Sequence, residues 1–279
     1  MTMNIVGGNY YCLLAGLPEI SPDDKKLTLN VSDLRTYLCD YLTEDEMNII
    51  NLFFLPNDNV QILRLLNGEE PDASLQTVFD TERLRDELAE PVSLPAYLIR
   101  YILDSRDEER EPSNRLPETD LSEAYWKYML SCRNSMVRRY AEFSMNVKNL
   151  LTALNCRKHH LDIEKEVIGD GHFTEMLKTS KARDFELGDD FPYVEDVILL
   201  FEKDNLAERE YAIDMLYWSF LDKETTHRYF SLENVIAFML KLMIVERWSR
   251  LNSDEGRRVF ESLVVRLKND FKFSKEFNL

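Results

Sequence analysis

The chain has 279 residues, of which 44% are apolar and 11% aromatic, with only 8 Gly and 9 Pro and a net charge of −17 from 51 acidic and 34 basic side chains. Such a length supports a sizeable core, and the scarcity of turn formers argues against a many-stranded β fold. The acidity excludes binding of nucleic acid or an anionic bilayer over a broad surface, leaving room only for a local basic patch.

Residues 1–18 carry no charged side chain, yet Asn4, Gly7, Gly8 and Asn9 interrupt the apolar run and no basic start precedes it, so the segment does not read as a signal peptide. Its "YYCLLAGL" is expected in the core, as a short strand or a buried first turn. After a Pro- and Asp-bearing loop, a short helix is expected from about Ser32 to Leu42. Thr43, with Glu46 three residues on, forms a capping box that opens "EDEMNIINLFFL", apolar almost all round and ended by Pro56 and Asn57. "DNVQILRLLNG" reads as the next helix, stopped by Gly68. Asp80 opens "TERLRDELAE", and Ser93 caps "LPAYLIRYILD", with Pro95 tolerated in the first turn. "SRDEEREPSNRLPETD" lacks apolar periodicity and reads as an exposed connection.

From Asp120, with Glu123 at a capping-box position, apolar residues recur at steps of three and four through to about Cys156. This predicts one continuous helix of roughly ten turns, a spine for its neighbours. Shorter helices are expected in "RKHHLDIEKEVIG" and "HFTEMLKTS", and "DFELGDDFP" reads as a second exposed loop. Two long helices follow, the second capped by Ser231. In a last one Phe260, Leu263, Val264, Leu267 and Phe271 share a face, with Asp254 and Glu255 against the N-terminal dipole. The densest apolar run, "VIAFMLKLMIV", has 11 residues and contains Lys241, too short and too polar to span a bilayer. The fold class is therefore all-α, with a short N-terminal strand as the one variant. Exposed loops divide the chain into candidate modules 1–105, 120–183 and 192–279.

The chemistry-bearing motifs are absent: no phosphate-binding glycine loop, no H-E-x-x-H, no nucleophile paired with a base. No catalytic, cofactor-binding or metal-ligating set is assigned. The adjacent His159 and His160 point roughly 100° apart on a helix and do not share a metal. The four cysteines, Cys12, Cys39, Cys132 and Cys156, form no C-x-x-C pair and read as reduced thiols of a cytosolic protein. Two basic clusters stand out, Arg138 with Arg139 and Arg157 with Lys158. Each reads either as helix-dipole complementation and solubility or as a contact patch for a partner bearing carboxylates.

One pattern is written twice. "EDEMNIINLF", from Glu44, and "EFSMNVKNLL", from Glu142, share E-x-x-M-N-x-x-N-L. Asparagine is a poor helix-interior residue because its amide competes for backbone bonds. Asn48 and Asn51, like Asn146 and Asn149, would lie on one flank of their helices, where an amide can satisfy polar groups of a neighbouring element. A duplicated module needing the same inter-helix contact twice would produce this pattern.

These modules resemble the C-type subunit of V-type and archaeal-type ATPases, whose eukaryotic counterpart is the d-type subunit. "ENVIAFMLKLMIVERWSRLN" is similar to that family's late helix, and "YYCLLAGLPEI" looks like the start of a shorter bacterial family associated with V-type ATPases. The resemblance implies three helical modules around a pseudo-threefold axis. It further implies a non-catalytic, cofactor-free part passing torque between the rotating central stalk and the membrane proteolipid ring. Its partners would then be proteins of the stalk and ring, and its place cytoplasmic, peripheral to the inner membrane within the complex. Two alternatives stand beside it: a cytosolic helical scaffold for an unrelated protein partner, and a carboxylate-metal hydrolase using Glu164, Asp170 and His172.

Overall fold

Helix is the only regular structure among the residues described by the computed structural model, which are 10–24, 27–107, 109 and 113–252. In chain order the helices are α1 (Tyr10–Gly16), α2 (Val31–Leu38), α3 (Glu44–Asn51), α4 (Leu55–Leu66), α5 (Thr81–Ala89), α6 (Ala96–Asp104), α7 (Pro117–Leu130), α8 (Ser135–His159), α9 (Ile163–Glu166), α10 (His172–Thr179), α11 (Val194–Phe201), α12 (Leu206–Thr225) and α13 (Leu232–Asn252). The all-α expectation holds. "YYCLLAGL" forms α1 and not a strand, and it does not lie in the core: Leu13 is its one buried residue, while Tyr11, Cys12, Ala15 and Gly16 are exposed. The closing helix read around Phe260 to Phe271 lies outside the described residues. No described helix is long and apolar enough to cross a membrane.

The described residues pack as two compact units, one built from those up to Thr43 together with those from Asp214 on, the other from Glu44–Ile213.

In the first unit α13 is the centre. Val235, Ile236, Leu242 and Val245 are fully buried on it, and α1 and α2 pack against it. Its one buried carboxylate, Glu246, accepts the backbone N–H of Val31 (2.8 Å), the first of α2. Asn30 caps the same helix by accepting from Asp33 N–H (2.8 Å). A helix leaves its first four N–H groups without internal partners, and these two side chains satisfy two of them. The Asp214 carboxylate accepts from Trp248 Nε1 (2.7 Å) and Arg247 Nη1 (3.1 Å), tying the α12 residues of this unit to α13.

In the second unit α8 is the spine, with α7, α9, α10 and α11 against it and α4 and α6 against α7. The expected single helix from Asp120 is two helices. The chain turns at residues 131–134, where Asn134 accepts from Met136 N–H (2.9 Å) and Val137 N–H (3.1 Å) and opens α8. An asparagine at a helix start satisfies orphan N–H groups that it would leave unbonded mid-helix, so the apolar stripe runs on while the backbone breaks. Asp120 is not the cap of α7. That helix begins three residues earlier at Pro117, and Asp120 lies in its first turn, where a carboxylate complements the dipole.

Three more local expectations are corrected by the same kind of reasoning. Pro56 does not end a helix. It sits in the first turn of α4, where its missing N–H costs nothing. Ser93 does not cap α6, which starts after Pro95; its N–H and hydroxyl are held by Glu87 instead. "DFELGDDFP" is irregular and only partly exposed: Glu186, Gly188, Asp189 and Asp190 face solvent, but Phe185, Leu187 and Phe191 are buried. Gly68, at φ +72°, stops α4 as expected.

The doubled motif divides by environment. Asn149 is 2% exposed, donates to Ile168 O (2.7 Å) and accepts from Ile168 N–H (3.0 Å). It thus satisfies both backbone groups of a buried residue in the α9–α10 connection. Asn48 is exposed on α3. Asn51 and Asn146 are half-buried. Asn149→Ala would strand two buried backbone groups and is expected to cost about 2–4 kcal/mol in denaturant unfolding. Asn48→Ala is expected to stay within about 0.5 kcal/mol of wild type.

Candidate functional site

A cleft of about 880 Å³ opens between α6 and α7 of the second unit. Its floor is aromatic, formed by Tyr97, Tyr101 and Tyr128, and its walls are charged, with Arg100 and Asp104 on α6 and Asp120, Glu123 and Lys127 on α7. The periodicity of the two helices explains the layout. Residues 97, 101 and 104, like 120, 124 and 127, recur at steps of three and four and so share one face. Tyr97 and Tyr128 pack at 5.2 Å between ring centroids, and the Tyr97 hydroxyl donates to buried Asn59 on α4 (2.7 Å), which fixes the floor.

Glu123 is the electrostatic centre. It pairs with Arg115 and with Lys127 (2.7 Å), Lys127 reaches on to Asp170 (3.1 Å), and Arg115 also donates to Glu164 O (3.1 Å) and Val167 O (3.0 Å). Burial pushes the Glu123 carboxyl up, but the hydrogen bond and charge of Lys127 and the charge of Arg115 outweigh it and hold the group below its ordinary range. The Glu123 hydrogen bond in turn raises Lys127. Burial raises the Tyr97 phenol, helped by the Asp58 charge, and raises Tyr128 as well. Each of these groups moves away from neutrality, so each holds a fixed charge or a fixed neutral form near pH 7.

The basic residues singled out by sequence do not form one patch. Arg138 and Arg157 lie 19 residues apart on α8, about 28 Å along its axis. Arg138 donates to Cys132 O (2.6 Å) and Arg133 O (2.8 Å), closing the turn between α7 and α8. Arg157 donates to Ala182 O (2.5 Å) and Ser180 O (2.6 Å), with its guanidinium 3.4 Å from the Phe185 ring centroid. Lys158 lies over the Phe201 ring at 5.5 Å, and Arg139 is half-buried. The residues considered for a hydrolase have separate partners: Asp170 pairs with Lys127, and His172 with Asp190 (3.2 Å). Glu164 offers its main-chain carbonyl to Arg115. Among the described residues no three His, Cys, Asp or Glu side chains converge as metal ligands. Sequence did not single out Glu123 or Arg115 as site residues. The usable signal was Pro117: placing the helix start there moves Glu123 out of the capping position and onto the α6-facing side.

A carboxyl held below its ordinary value stabilises the folded chain above the unfolded-state pKa and loses that contribution as pH falls through the folded value. Glu123→Gln is therefore expected to lower the denaturant midpoint at pH 7, and the gap from wild type to narrow below about pH 4. Paired unfolding curves at pH 7 and pH 3 measure this.

No curated protein and no solved structure matches this chain. A family described as "Protein of unknown function (DUF2764)" matches residues 8–271, nearly the whole length. The chain belongs to that family.

Proposed function

We propose that this chain is a non-catalytic coupling subunit of a V-type ATPase, standing between the central rotor stalk and the membrane proteolipid ring on the cytoplasmic side. The observation that carries the reading is an all-helical body whose sequence resembles the C-type subunit of these ATPases in the segments "EDEMNIINLF", "EFSMNVKNLL" and "ENVIAFMLKLMIVERWSRLN". The physical character of the molecule supports it. A torque-bearing part must resist deformation, and packed helices with few voids transmit strain. Here the irregular segments are also tied down, by Asn149, Arg157 and Arg115 in the second unit and by Glu246 in the first. The reading brings with it a pseudo-threefold arrangement of helical modules.

A second reading, a helical scaffold for an unrelated protein, draws on one feature of the first unit. Tyr11, Tyr229 and Phe230 are 58%, 80% and 47% exposed, and Tyr11 and Phe230 stack at 4.8 Å between centroids. Phe230 holds φ +52°, a left-handed conformation uncommon for a bulky residue. Exposed aromatic clusters of this kind mark contact surfaces. Both readings require a protein partner and differ in which one.

Affinity purification of the tagged chain from native membranes in mild detergent separates them. The coupling reading expects ATPase stalk and ring proteins in the eluate at near-stoichiometric amounts. Elution of the chain beside other proteins, with the intact ATPase left in the unbound fraction, overturns it.

A further inference from the structure

The segment between α4 and α5 is fastened in an unusual way. Four side chains on α4 grip its backbone. Asn57 donates to Gln76 O (2.7 Å). Asp58 accepts from Val78 N–H (2.9 Å) and Phe79 N–H (3.0 Å). Gln61 donates to Asp72 O (2.6 Å) and accepts from Asp72 N–H (2.9 Å). Arg64 donates to Glu70 O (2.8 Å). Positions 57, 61 and 64 follow steps of four and three, so they lie on one face, and the segment runs antiparallel to the helix across it. By contrast, no side chain from residue 69 to residue 79 is fully buried, and its apolar Leu75, Val78 and Phe79 are half-buried. Its ion pairs, Arg64–Glu69 (3.3 Å) and Arg85–Glu70 (3.8 Å), are solvent-exposed and contribute little.

We propose that residues 69–79 form a strap that lifts from α4 as a unit, without unfolding of the second unit. Hydrogen bonds hold it, helped only by side chains such as Leu75, Val78 and Phe79 that are half-buried and not core. Such bonds contribute only modestly net when water can replace them, whereas the α7–α8 core, with Met129, Val137 and Leu150 fully buried, is held by area that water cannot replace. Segments of this kind open at the low end of the local-stability range. When the strap lifts, it uncovers Asn57, Asp58, Gln61 and Arg64, a row of side chains arranged to bond polypeptide backbone. The opening of the strap is independent of the coupling role.

Hydrogen exchange of the full chain, read by mass spectrometry or by nuclear magnetic resonance, tests it. The amides of Asp72, Val78 and Phe79 are expected to exchange at least about 10-fold faster than those around Val147 and Leu150 on α8. Gln61→Ala is expected to speed exchange through residues 70–79 by on the order of another 10-fold, with α8 unchanged. Arg64→Ala, at the exposed end of the stripe, should act in the same direction and keeps the test available if the first variant does not fold. Strap amides exchanging at the α8 rate in the wild type, or α8 accelerating in step with the strap in either variant, would overturn the proposal.

Discussion

Backbone polar groups in irregular segments constrain this molecule more than any other single factor. With 8 Gly and 9 Pro in 279 residues, the chain has few residues that make tight self-bonded turns. Its connections run against helices, where an unbonded N–H or carbonyl costs about as much as a lost hydrogen bond. The helices supply the partners. Asn149 completes Ile168, Glu87 accepts from Val92 (2.7 Å) and Ser93, Arg157 caps the carbonyls of Ser180 and Ala182, and Glu246 takes the first N–H of α2. Among the buried polar and charged side chains, Asp58, Gln61, Glu87, Asn149 and Glu246 perform this task. Burying such groups is tolerable only because each finds bonds.

This arrangement bears on function through what it does to charge. A guanidinium that bonds two carbonyls and stacks on Phe185 is a fastening for the loop it touches. A carboxylate gripped by Arg115 and Lys127 stays ionised. Around the α6–α7 cleft the charged pair Glu123 and Lys127 stands beside the neutral phenols of Tyr97 and Tyr128. Within the second unit, loops bonded to helices and helices packed on the long spine α8 resist deformation. That is the physical ground on which the proposed coupling role rests beside the resemblance.

Much of the helix content was legible from apolar periodicity and from caps such as Asp80, whose carboxylate accepts from Arg83 N–H (2.7 Å). Periodicity fails where a backbone break preserves the stripe. Across residues 131–134 the apolar spacing continues, so only Asn134 marks the division of α7 from α8. Pro56 and Ser93 carry signals valid at two positions each: proline both ends helices and begins them, and serine bonds a cap or a nearby carboxylate. The asparagine pairs had equal spacing, but Asn149 is buried against a connection and Asn48 faces solvent, because burial depends on what packs opposite. For the same reason the sequence around Arg157 points to dipole complementation or a contact patch and not to a loop fastening. Its partners, Ser180 and Ala182, are more than twenty residues away, and no local pattern announces them.

Cross-linking mass spectrometry on unfractionated native membranes tests the coupling role most directly, because it needs no purification and reports neighbours in place. The account predicts cross-links from this chain to both a central-stalk protein and a proteolipid-ring protein of one ATPase. Cross-links confined to proteins outside that machine, in membranes where stalk and ring cross-link to each other, would contradict it.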